Sequence, residues 1–127
     1  MTEASHVLIC DDDPLLLDLL TFRLNAKGFR VEVARDGADA WERLKDNRPA
    51  AVVLDVMMPV VNGLEILRRV REAPELADLP VIMLTARKQE RDIVGALDLG
   101  ASDFLSKPFI PDQLFARLNR LVAKVCL

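Results

Sequence analysis

A chain of 127 residues is the size of one compact domain with a single core and is too short for two ordinary ones. Its 51% hydrophobic and 29% charged residues exclude disorder, and a formal net charge of -3 without a local Lys/Arg run excludes a basic nucleic-acid footprint. Two cysteines, Cys10 and Cys126, are too few for a disulfide scaffold; with no apolar segment long enough to span a bilayer and no signal-peptide pattern, a soluble, unexported domain in a reducing cytoplasm is expected.

Short apolar runs alternate with longer amphipathic ones from end to end, the pattern of repeated βα units around a parallel sheet. The first strand is predicted over Val7–Cys10 and leads into Asp11-Asp12-Asp13. Asp13 before Pro14 forms an N-cap and first-turn pair, and Lys27-Gly28 closes the first helix. That helix carries more leucine than one stripe can use. Leu16, Leu17, Leu20 and Leu24 share one face, while Leu15, Leu19, Phe22 and Ala26 form a second, which is either further core or a docking face. A second strand follows over Val31–Ala34, and Asp36 caps a second helix through Leu44. The third strand, Ala51–Leu54, runs into Asp55, and a third helix extends from Gly63 to near Glu72. Ala73 to Leu79 is the only long polar connection. Val81–Leu84 forms a fourth strand ending in Thr85, and a fourth helix begins near Lys88 and ends at Gly100. The fifth strand, Asp103–Ser106, leads to Lys107-Pro108, and a fifth helix spans Pro111 to about Val125 behind Ile110, a poor capping residue. The expectation is one α/β domain over 1–127, a doubly wound sheet with helices on both faces.

In open parallel sheets, ligands bind beyond the carboxyl ends of the strands, and four of the five ends here are polar. Asp13 has a capping job; Asp11 and Asp12 have none comparable. Carboxylates held close raise one another's pKa unless a cation neutralises them, and Mg²⁺ suits a site of few protein ligands and several waters. Asp55 could be read as a helix cap or a solvated turn residue, but Pro59 and Gly63 intervene before the next helix and put it on the strand side of a loop. A carboxylate there can attack phosphorus in line while Mg²⁺ and Lys107 neutralise the equatorial oxygens, giving an acyl phosphate. Thr85 offers a neutral hydrogen-bond donor, and Lys107-Pro108 is a candidate cis peptide bond.

The segments LICDDDP, VVLDVMMP, NG, VIMLTA and SKPF, in that order, resemble the receiver domain of response regulators in two-component signalling, over essentially the whole chain. The resemblance implies a flavodoxin-like fold: a five-stranded parallel sheet in order 2-1-3-4-5 with five helices. It implies that Asp55 is the phosphoacceptor and that Asp11 and Asp12 are the acidic pair, with Asp12 the preferred direct Mg²⁺ ligand. Met57 would add its backbone carbonyl, Thr85 and Lys107 would contact the phosphoryl group, and the Lys107-Pro108 bond would be cis. The phosphodonor would be a sensor histidine kinase or a histidine phosphotransfer protein, docking on the first helix. Such a protein is a signalling phosphoacceptor that promotes its own phosphorylation and dephosphorylation rather than an enzyme on external substrates.

The resemblance also implies a switch, in which Thr85 moves towards the phosphoryl oxygen and Phe104 turns inward. Phe104 lacks the hydroxyl that a tyrosine could present at the surface, which favours the inward state before phosphorylation. Asn62 stands where many members have aspartate and is neutral for the chemistry. Met57 and Arg87 occupy positions that tune acyl phosphate lifetime. His6, the only histidine, lies before the first strand and is a bystander. Arg87, Arg91, Asp92, Asp98, Asp103 and Arg117 mix signs on the face of the fourth helix, fifth strand and fifth helix, where they are either solvated charges or partners across a homodimer axis. A Mg²⁺-dependent phosphatase with an aspartate nucleophile is a rival reading, but Met57 fills the place of its usual second acid. A phosphorylation-independent interaction module is the other rival, set against the complete retention of acidic, threonine and lysine positions. No direct nucleic-acid or membrane contact is expected of this domain.

Overall fold

The computed structural model describes residues 5–86 and 98–123. Five parallel strands, β1 (His6–Cys10), β2 (Arg30–Ala34), β3 (Ala51–Asp55), β4 (Val81–Ala86) and β5 (Asp103–Lys107), form one sheet in the order β2-β1-β3-β4-β5, as expected. Four helices are seen among the described residues: α1 (Pro14–Ala26), α2 (Gly37–Asp46), α3 (Gly63–Glu72) and α4 (Pro111–Ala123). The additional helix expected from Lys88 to Gly100 falls largely on residues 87–97, outside the described residues.

Strand alternation divides the core in two. Leu8, Cys10, Val52, Leu54, Val81 and Met83 pack with α2 and α3 on one face, while Val7, Ile9, Ala51, Val53, Ile82 and Leu84 pack with α1 and α4 on the other. The central strand β3 is buried at all five positions, so it needs apolar residues on both sides until its last, Asp55. Each fully buried Val, Leu or Ile contributes about 1.5–3 kcal/mol relative to exposure.

The helix starts are chemically specified. The Asp13 carboxylate accepts from the Leu15 and Leu16 N–H groups, Asp36 from Asp39 N–H at 2.8 Å, and Asn62 from Glu65 N–H at 2.9 Å. Gly28, at φ 94°, lets the Phe29 N–H return to the Leu24 carbonyl at 3.0 Å and ends α1. Ile110 has no capping side chain, yet its N–H donates to Gln113 Oε1 at 3.0 Å, the reciprocal half of a capping box.

On α1, Leu17, Leu20 and Leu24 are buried and Leu16 is partly so, whereas Leu15 (79% exposed), Leu19, Phe22 (73%) and Ala26 face outward. The second stripe is therefore not core: α1 rests on the sheet along one face only. The connection from Ala73 to Leu79 is less polar than its composition suggests, because Leu76 and Leu79 are buried. Arg71 fastens it, donating to the carbonyls of Ala77, Leu79 and Gly100.

Candidate phosphoacceptor site

The polar residues expected just beyond the strands are in part the last residues of the strands themselves. Asp55 pairs with Leu84 in the β3–β4 register, Thr85 with Ser106 and Ala86 with Lys107. The ladder extends because Val56 N–H still reaches the Leu84 carbonyl at 2.9 Å, so backbone hydrogen bonds fix the chemistry-bearing side chains. Asp11 follows β1 directly, its N–H bound to the Ala34 carbonyl at 3.1 Å.

These ends meet at one edge of the sheet. Lys107 Nζ lies 2.7 Å from Asp11 Oδ2 and 3.4 Å from Asp55 Oδ2, so one ammonium bridges two carboxylates. Asp11 is fully buried and Asp55 nearly so, while Asp12 is exposed. Asp11 Oδ1 also accepts from Asp13 N–H at 3.0 Å, and Asp55 Oδ1 from Met57 N–H at 3.4 Å. Asp11, Asp12 and Asp55 each offer a carboxylate oxygen, all within 4.8 Å of one another.

The electrostatics follow from burial. Desolvation raises the Asp55 pKa to about 6, the Asp11 charge adds to the rise, and Lys107 and the Met57 N–H oppose it. For Lys107, burial disfavours the charge, but the bond to Asp11 and the charges of Asp55 and Asp11 outweigh it, so its pKa is raised. Among the described residues one lysine faces the three carboxylates, an excess of negative charge. Hard oxygen donors and close spacing together fit a small divalent cation such as Mg²⁺.

Thr85 is buried at the end of β4, its hydroxyl donating to the Ala86 carbonyl at 3.2 Å. Phe104 is half-buried against the core on the α2–α3 face, in register with Met83. The Lys107-Pro108 peptide bond is cis, as expected. His6 lies at the opposite end of β1, bonded through Nε2 to Glu32 at 3.0 Å, which in turn holds Arg43. Of the mixed charges on the β5 side, Arg87, Arg91 and Asp92 lie outside the described residues, and Asp103 pairs within the chain with Arg117 Nε (3.3 Å) and Arg120 (3.1 Å).

Two glycines beside the site have a role that their sequence positions did not reveal. A Cβ on Gly63 would overlap the Asp55 backbone carbonyl, and one on Gly37 would overlap that of Val61. Asn62 caps α3, and the helix start expected at Gly63 is pressed against the strand that carries Asp55.

The model of the response regulator receiver domain family matches residues 7–119. The response regulator MprA of Mycobacterium sp. strain KMS is 43% identical over 119 residues, covering 94% of this chain and 51% of that protein. The chain thus spans about half the length of this relative. Among solved structures, a response regulator described as putative from Chloroflexus aurantiacus superimposes with a TM-score of 0.90 at 33% identity, covering 95% of this chain and 99% of that one. The receiver domain of a sensor histidine kinase from Pseudomonas aeruginosa PAO1, solved with a magnesium ion in its active-site cleft, gives 0.86 at 28% identity, covering 94% and 98%.

Proposed function

Since this chain belongs to the receiver domain family of response regulators in two-component systems, we propose that Asp55 accepts a phosphoryl group in a Mg²⁺-dependent reaction. The donor is a phosphohistidine on a sensor histidine kinase or a histidine phosphotransfer protein. The observation that carries this reading is the bridge from Lys107 to the buried carboxylates of Asp11 and Asp55, with Asp12 beside them.

In the proposed reaction an Asp55 carboxylate oxygen attacks phosphorus and forms a P–O bond. The P–N bond to the donor imidazole breaks, and its electron pair stays on that nitrogen. Asp11, Asp12 and Asp55, with the Met57 backbone carbonyl, would hold a divalent ion, which when bound would supply positive charge to neutralise the phosphoryl oxygens. Lys107 transfers one of its hydrogen bonds to a phosphoryl oxygen, and the Thr85 hydroxyl donates to another. The same residues promote later attack by water, so the domain accelerates its own phosphorylation and dephosphorylation. The message leaves the site when Thr85 shifts and Phe104 turns further into the core, altering the face made by the helix expected from Lys88 to Gly100, β5 and α4.

The donor docks on α1. Leu15, Leu19 and Phe22 of this helix face outward, and its Leu16 lines a pocket of about 320 Å³ together with Lys107, Pro108 and Phe109. An apolar face running up to the acceptor suits a helical partner.

The test is intact mass after incubation with acetyl phosphate, with and without Mg²⁺, beside Asp55→Asn. One added phosphoryl group that requires both Mg²⁺ and Asp55 is the expected result. No addition, together with no beryllofluoride complex, would leave an interaction module that works without phosphorylation.

A further inference from the structure

The loop between β3 and α3 contains a strained turn. The Val61 N–H donates to the Pro59 carbonyl at 2.9 Å across a single residue, Val60, which sits at φ 72°. This is a γ-turn of the rarer, positive-φ kind, and a β-branched residue is poorly suited to it. Val60 is 78% exposed, so its side chain gains little by packing inside the chain. Such a conformation persists only where its surroundings over-determine it.

What over-determines it is the start of α2. The Pro59 carbonyl accepts a second hydrogen bond, at 3.1 Å, from the N–H of Gly37, the first residue of that helix. A first-turn N–H has no partner within its own helix, so the loop serves α2 as a cap and α2 serves the loop as a clamp. The fit admits no side chain: a Cβ on Gly37 would overlap the backbone carbonyl and Cβ of Val61. At its other end the loop leaves from Asp55, whose carboxylate holds the Met57 N–H, and it closes through the Gly63 N–H on the Val56 carbonyl at 2.9 Å.

We propose that Gly37 is a positioning residue for the phosphoacceptor site: by clamping the Pro59–Val61 turn it fixes the Met57 backbone beside Asp55. The proposal rests on the reading of that site as a divalent-cation and phosphoryl site. Gly37 touches neither ligand; it acts through the loop. Any side chain at 37 displaces the Val61 carbonyl, breaks the bond to Pro59 and lets the turn relax, which swings the Met57 carbonyl out of alignment with the three carboxylates.

The experiment is a Mg²⁺ titration of the full chain followed by amide NMR, for the wild type, Gly37→Ala and Val60→Gly, with folding of each checked by circular dichroism. In the wild type the Gly37 amide should shift over the same Mg²⁺ range as the Met57 amide, although α2 contributes no ligand. Gly37→Ala should bind Mg²⁺ about tenfold more weakly, a loss typical of groups that orient a ligand from outside the coordination sphere. Val60→Gly keeps Gly37 and adopts positive φ without strain, so its Mg²⁺ affinity should stay within about twofold of the wild type. Equal affinity of folded Gly37→Ala and wild type would overturn the proposal, and so would a Gly37 amide that stays still while Met57 moves. The second criterion decides the matter if Gly37→Ala does not fold. A wild type that binds no Mg²⁺ would instead sink the reading of the site itself, and the role of Gly37 with it.

Discussion

Asp55 is a carboxyl group whose surroundings oppose its charge. Its pKa in the folded chain is about 6 against an ordinary 3.8, so the folded state holds a proton that the unfolded state has lost between those values. The contribution of this group to stability is therefore full below about pH 4 and is lost as pH rises through 6. Measured without divalent cations, the unfolding free energy of the wild type relative to Asp55→Asn should fall by roughly 1–3 kcal/mol between about pH 4 and pH 7. A difference that does not vary with pH would mean that Asp55 is not held against its charge. Legibility at this scale was uneven. Asp11, Asp12, Asp55, Thr85 and Lys107 stand out in the sequence because each interrupts or ends an apolar run, and the structure brings these strand ends to one edge of the sheet. Gly37 and Val60 did not stand out, because a close approach between α2 and a distant loop, and the sign of one φ angle, arise only when the two segments meet.

The elements were legible through their punctuation. Asp13-Pro14, Asp36 and Lys27-Gly28 are residues with a local job, and local jobs can be read locally. The start of α4 was harder, since Ile110 offers no cap and the compensation comes from Gln113, three residues inside the helix. Gln113→Ala should accordingly cost about 0.5–1 kcal/mol in chemical denaturation and leave phosphoryl uptake unchanged. No loss would mean that water serves the Ile110 N–H equally well. The double leucine stripe of α1 could not be resolved from periodicity, because a helix on a sheet can bury a wide or a narrow face. Its width is set by how closely α4 and β2 approach, which no single segment encodes.

Among the described residues, the sheet separates two apolar clusters that share no side chains, one under α2 and α3 and one under α1 and α4. Leu67→Ala and Leu118→Ala, one on each side, should each destabilise by about 2–5 kcal/mol. Their effects should add within about 0.5 kcal/mol in the double variant, since neither cavity touches the other. Marked non-additivity would mean that the sheet transmits packing strain from face to face. The bond from Lys107 to Asp11 joins residues 96 apart in the chain, and β5 reaches β1 only across β4 and β3. A ribosome-bound chain therefore cannot form this bridge until its fifth strand has emerged and docked. Were Asp55 to accept a phosphoryl group as proposed, that acceptance would certify completed folding as well as an upstream stimulus, and unfinished or misfolded copies would stay silent instead of sending a false signal.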